Sequence, residues 1–120
     1  MTVQPGDIYS VFFKYEDRSG GKTRPVLIVD VENDIALGVA IKITSKGPKN
    51  PPTPHDAYRI PIKHWKEAGL NKESWARCEK FKAFPLSAFK EERKIGEMHS
   101  DDFDSILSVY RDLTSDEDEE

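Results

Sequence analysis

Cysteine is nearly missing from this 120-residue chain: Cys78 is the single one, so no internal disulfide framework can form. Histidine is scarce too. His55, His64 and His99 are scattered without metal-ligand spacing, and neither a metal nor a cofactor is expected. No apolar run approaches the roughly 20 residues of a membrane helix. Nor does a basic-then-apolar leader open the chain, because Met1–Tyr9 already contains Pro5, Gly6 and Asp7. A cytoplasmic protein with no membrane partner is therefore expected. The chain also lacks a glycine-rich nucleotide fingerprint, a Walker loop, an H-E-x-x-H helix and a nucleophile elbow.

Acidic residues are absent from one stretch, Ile35 through His55, which holds Lys42, Lys46 and Lys49. The formal net charge of -4 hides this strip. Asp116–Glu120 supplies five of the 22 acids, leaving 17 against 18 Lys and Arg in the rest of the chain. A near-neutral body with a local basic strip is able to hold a polyanion, although a solvated lysine-bearing loop has the same composition. The acidic block itself is expected to be a disordered tail over residues 114–120, following a single domain over residues 1–113.

Two Trp, four Tyr and six Phe, with many Ile and Val, suffice for one compact core. Ile8–Phe13, Pro25–Val31, Leu37–Ile43, Ala57–Ile62, Ser74–Phe84 and Lys94–Met98 read as strands. Pro25 is placed at the first residue of its strand, and Pro61 marks an edge or a bulge. The second and third runs are continuously apolar, which puts them in the middle of a sheet. In the fifth, Trp75, Arg77, Glu79, Phe81 and Ala83 are assigned to one face and Ala76, Cys78, Lys80 and Lys82 to the other. The four prolines of Gly47–Pro54 require an exposed excursion, and His64–Ala68 suits a helical turn stopped by Gly69. Phe103, Ile106, Leu107 and Tyr110 fall at helical spacing. They predict one amphipathic helix from about Asp101 to Leu113, with Ser100 as its N-cap. Short strands, Pro/Gly-rich connections and one C-terminal helix specify a mainly β fold, a small antiparallel barrel.

Chemistry concentrates in two short segments. Gly21-Lys22-Thr23-Arg24-Pro25 enters the second strand and Lys42-Ile43-Thr44-Ser45-Lys46 leaves the third. If these strands are antiparallel neighbours, Arg24 stands near Thr44 and Ser45 at one sheet rim, beside the acid-free strip. A guanidinium fork with a hydroxyl is a phosphodiester-binding arrangement. The residues alone equally allow Arg24 to pair with a loop carboxylate such as Asp17.

Pro5-Gly6-Asp7-Ile8-Tyr9, Gly21 through Val29, Ile43-Thr44-Ser45, and Lys94 through Ser100 running into the helix together resemble the MazF/PemK family of toxin endoribonucleases. The resemblance spans about Pro5 to Leu113. It implies an SH3-like barrel of the CcdB/MazF/PemK type, a homodimer, a cognate antitoxin partner, and metal-independent cleavage of single-stranded RNA. It also implies that Arg24 and Thr44 are the catalytic pair, with Lys22, Ser45, Lys46 and Lys42 as substrate-binding candidates. The reaction would be 2′-hydroxyl attack giving a 2′,3′-cyclic phosphate and a 5′-hydroxyl. His55 is a candidate for proton transfer, since an unperturbed imidazole titrates near 6.5. It competes with the plainer reading of a surface histidine. The alternative on the same barrel is a non-catalytic module that binds nucleic acid or a protein such as DNA gyrase.

Overall fold

The computed structural model describes residues 3–14, 19–48 and 54–115. Six strands follow one another as β1 (Asp7–Lys14), β2 (Gly21–Glu32), β3 (Leu37–Thr44), β4 (Arg59–Ile62), β5 (Ser74–Pro85) and β6 (Lys94–Glu97); helix α1 (Ser100–Ser115) closes the chain. They build one sheet in the order β4-β5-β3-β2-β1-β6, and every neighbouring pair is antiparallel. This is the mainly β class with a C-terminal helix that the sequence predicts. The ladder does not close on itself among the described residues: β4 and β6 are its edges, and Pro61 sits on the edge strand. No helix among the described residues is long and apolar enough to cross a membrane.

The continuous apolar runs of β2 and β3 are explained by burial on both faces. Side chains alternate along a strand, so Val26 and Ile28 point into one cluster, with Tyr9, Ala40, Phe84 and Phe89. Leu27 and Val29 point into the other, with Ile41, Ile43 and Ile106. Helix α1 covers this second face. Ile106 is fully buried there, and the Cys78 thiol donates to the Ile106 carbonyl at 3.8 Å.

Three local expectations are corrected. Pro25 is inside β2, four residues past its start, rather than at its first position. It pairs with Ser10 of β1, while the ladder to β3 begins only at Val26↔Lys42, so the missing N–H falls where β2 has one ladder instead of two. In β5 the register jumps from Ile41↔Phe81 to Lys42↔Arg77. The residues between form a bulge that resets the faces. Phe81 consequently meets Tyr110 of α1, on the same side as Cys78, which simple alternation assigns to opposite sides.

The third correction concerns the helix start. The first helical bond runs from Phe103 N–H to the His99 carbonyl, and His99 Nδ1 accepts the Asp101 N–H at 3.1 Å. His99, not Ser100, is the N-cap; an imidazole nitrogen does the work usually given to a hydroxyl or carboxylate. The helix also runs to Ser115, two residues beyond the expected Leu113. The acidic run Asp116–Glu120 lies outside the described residues.

Two measurements check this packing. Ile106→Ala leaves a cavity between sheet and helix and should cost about 2–5 kcal/mol in urea unfolding. Burial pushes the Cys78 thiol from 9.0 up to about 12, so at pH 8 the folded protein should hold about a thousandfold less thiolate than an open cysteine. A disulfide reagent should therefore label Cys78 in denaturant and leave the native protein untouched.

Candidate functional site

The rim where β2 begins and β3 ends holds the candidate site. Val26 pairs with Lys42 and Leu27 with Ile41. The same register carried two residues past the last pair sets Arg24 across from Thr44. Both line a groove of about 340 Å³, together with Lys22 and Ser45. The antiparallel adjacency of the two chemical segments is thus the arrangement in the folded chain.

Thr44 is almost fully buried, and among the described residues its hydroxyl is committed on one side only. Its Oγ1 accepts the Lys46 N–H at 3.1 Å, a short hydroxyl–backbone turn that bends the chain out of β3. A hydroxyl also carries one proton to donate, which leaves Thr44 able to meet an incoming acceptor. The turn is held from behind. Arg59 Nη1 of β4 donates to the carbonyls of Lys46 (2.7 Å) and Gly47 (3.2 Å). Gly47 lies against Trp75 so closely that an added Cβ would stand 2.9 Å from the indole.

The facing wall comes from the turn after β4. Gly69 N–H donates to the Lys66 carbonyl and Leu70 N–H to the Trp65 carbonyl, which is the Schellman closure of a single helical turn. Gly69 adopts φ +93°, and a Cβ there would lie 2.6 Å from the Ile95 carbonyl, so only glycine lets the turn dock on β6. The predicted helical turn and its glycine stop are both present. Beyond Gly69 the chain supplies Leu70, Asn71 and Lys72 to the groove, and Ser74 Oγ fixes that stretch by donating to the Lys72 carbonyl at 2.8 Å.

Among the described residues, Lys22, Arg24 and Lys72 are the charged residues of the lining, and no Asp or Glu belongs to it. A concave rim with one sign of charge concentrates anions. Apolar surface comes from Pro25, Ile43, Leu70 and Ile95. Among the described residues no carboxylate pairs with Arg24. Asp17, the alternative partner considered from sequence, lies outside them.

The other candidates are distributed as follows. Lys46 is exposed, enters the site through its backbone N–H and is not part of the groove lining. Lys42 is not brought to the groove; its ammonium lies 5.6 Å from the centre of the Phe13 ring. His55 falls in the 3-10 turn Pro54–Tyr58, and its side chain lies outside the described ones. Lys72, Asn71 and Ser74 complete the site without having been singled out from sequence. The signal that leads to them is the Gly69 stop, which turns the following residues back over the rim.

Fold and groove define a small antiparallel-sheet protein with a cationic cleft at one rim. The family of PemK-like, MazF-like toxins of type II toxin–antitoxin systems matches residues 4–113. The chain belongs to that family. No curated protein sequence is significantly similar to it. Among solved structures, the MazE–MazF complex from Deinococcus radiodurans superposes with a TM-score of 0.67 at 14% identity, covering 94% of this chain and 96% of that one. An endoribonuclease from a mycobacterial species, in complex with its cognate antitoxin, gives 0.71 at 14% identity over 95% and 96% of the two chains. The Mycobacterium tuberculosis toxin MazF-mt6 gives 0.61 at 18% identity over 89% and 96%.

The Thr44 turn is testable alone. Thr44→Val removes the acceptor for the Lys46 N–H, a bond worth about 0.5–1.5 kcal/mol. Amide exchange at Lys46 should accelerate by up to about tenfold in that variant and remain as in the parent in Thr44→Ser.

Proposed function

We propose that this chain is an endoribonuclease toxin that cleaves single-stranded RNA in the rim groove, with Arg24 and Thr44 as the catalytic pair. What supports the reading is that Arg24 and Thr44 line one groove whose described lining holds three cations and no acid. Family membership supports it. The substrate's 2′-oxygen forms a bond to the adjacent phosphorus, the bond from phosphorus to the 5′-oxygen breaks, and the products carry a 2′,3′-cyclic phosphate and a 5′-hydroxyl.

Charge builds on the non-bridging oxygens as the phosphorane forms. Arg24 offers a planar fork of donors to them, and the Thr44 hydroxyl donates to one. The guanidinium also stands as the proton donor to the departing 5′-oxygen. It is unsuited to accept the 2′-proton, because at rest it already carries its own; only a stronger base, such as the departing 5′-alkoxide, draws that proton from it. Lys22, Ser45 and Lys72 hold flanking phosphates, with Lys46 on the approach; Lys42, over Phe13, is set aside. In this reading the charge stabilisation that a metal supplies elsewhere comes from Arg24 and the lysines, and the step is metal-independent. His55 is retained as the proton-transfer candidate, on a turn at the end of the acid-free strip.

The solved relatives include toxins held by antitoxins. We extend this to the present chain: it works as a cytoplasmic homodimer and is silenced by a cognate antitoxin that lies over the cationic groove. Residues 1–113 constitute the working domain, and the acidic residues after it are an appendage.

Arg24→Ala should leave the melting temperature unchanged and lower cleavage of single-stranded RNA by about 100-fold or more. Products of the parent should end in a cyclic phosphate. Equal cutting by parent and variant removes Arg24 from the mechanism. RNA that is bound and never cut by the parent, freed of antitoxin, replaces catalysis with a binding module. Lys72→Gln should weaken RNA binding across sequences and lower the salt dependence by about 0.7 in the log–log slope.

A further inference from the structure

Two histidines that are 35 positions apart in sequence meet at the foot of helix α1. The His64 and His99 rings stack with centroids 3.8 Å apart and planes inclined by 13°. Glu67, one turn beyond His64, completes a set in which one ligand atom from each residue lies within 4.8 Å of the others. We propose that His64, Glu67 and His99 form a zinc site that staples the 63–69 turn to the start of α1.

The orientation of His64 carries the argument furthest. Its Nδ1 lies 3.2 Å from Oδ2 of Asp102, a buried carboxylate. Asp102 also accepts the backbone N–H groups of Lys63 (3.2 Å) and His64 (2.8 Å), so it cannot swing away. A carboxylate on one imidazole nitrogen fixes the ring and presents the other nitrogen, Nε2, to a metal, the arrangement found behind most metal-bound histidines. Two imidazoles and one carboxylate form a nitrogen-rich borderline set that suits zinc and leaves the fourth tetrahedral position to water.

Ligand atoms around a tetrahedral zinc stand about 3.4 Å apart. Closing from 4.8 Å, with the His99 ring turned out of its parallel stack on the fixed His64 ring so that both lone pairs meet, requires only side-chain motion, because Glu67 is exposed and His99 reaches the surface. His99 would give up its bond from the Asp101 N–H, a group at the open helix start that water can satisfy. The cation in the adjoining cavity is held by other partners. Lys94, which shares a cavity with Glu67 and His99, is held by Glu97 at 3.2 Å and by Asp7 at 3.5 Å.

The staple would act on the groove through the chain. None of the three ligands lines the cleft, yet the turn they hold runs directly into Gly69–Lys72, its facing wall. Zinc at this place is structural, and the inference stands whether or not the groove cuts RNA.

Isothermal titration of the tag-free full chain with zinc chloride should show one saturable site and a raised melting temperature, with magnesium giving neither. His64→Asn keeps an amide donor toward Asp102, and His99→Asn keeps a good N-cap, so both remove a ligand without removing the local structure. Each of these variants, and the surface change Glu67→Gln, should weaken zinc binding by about tenfold or more. Absence of a saturable site in the parent overturns the proposal, as does undiminished binding in all three variants. Glu67→Gln keeps the test decisive if either histidine variant melts early without metal.

Discussion

The register between β2 and β3 is the constraint on which the rest depends. Antiparallel pairing at Val26↔Lys42 sets the start of one strand against the end of the other. A slip of one residue would turn every side chain on β2 to the opposite face. Leu27 and Val29 would leave the cluster under α1, and Val26 and Ile28 would leave the cluster around Tyr9. Because both faces are buried, neither displaced set finds solvent or an empty place, so hydrophobic packing on two sides fixes where Arg24 and Thr44 stand. Core and cleft are one specification.

That double burial also separates rigid from adaptable parts of the cleft. One wall is the sheet rim itself, with Thr44 turned into the Lys46 N–H and the following carbonyls gripped by Arg59. The facing wall is a single helical turn with a glycine stop. Such a turn has little stability of its own, and what holds it is docking: Gly69 pressed on β6, and Asp102 of α1 accepting the N–H groups of Lys63 and His64. Asp102 is thus the cap of an element almost 40 residues before it, which explains a carboxylate buried to 4% exposure beneath the helix. It makes the helix a brace for the groove as well as a lid on the core.

Legibility from sequence followed the range of the signals. Strands, the C-terminal helix and the meeting of the Arg24 and Thr44 segments at one rim were readable because each rests on local periodicity plus one antiparallel neighbour. The N-cap was misread because Ser100 has the better general propensity; His99 wins by one position, with its ring already placed against His64. The faces of β5 were misread because a bulge opposite Ile41 and Lys42 leaves no compositional mark in Cys78-Glu79-Lys80. Lys72 and the meeting of His64 with His99 were invisible for a different reason: both depend on where a turn docks, and no spacing rule reaches across 35 residues. Lys42 shows the converse, a cation in the basic strip whose strand position carries it over Phe13 rather than into the cleft.

The charge arithmetic has a structural resolution. The chain as a whole is acidic, at -4, and an anionic polymer approaching from a distance meets repulsion. Screening shortens that repulsion to about 8 Å at physiological ionic strength. Within that range Lys22, Arg24 and Lys72 line the groove, with no carboxylate among its described lining residues. Local cations then dominate at contact, while the net charge of the chain governs the rate of encounter. The same separation bears on chemistry. A groove of cations and hydroxyls stabilises negative charge wherever it appears, and the phosphorane carries more of it than the resting phosphodiester. In the proposed reaction the discrimination between the two rests on geometry, on a guanidinium and a hydroxyl brought to one groove, rather than on the amount of charge present.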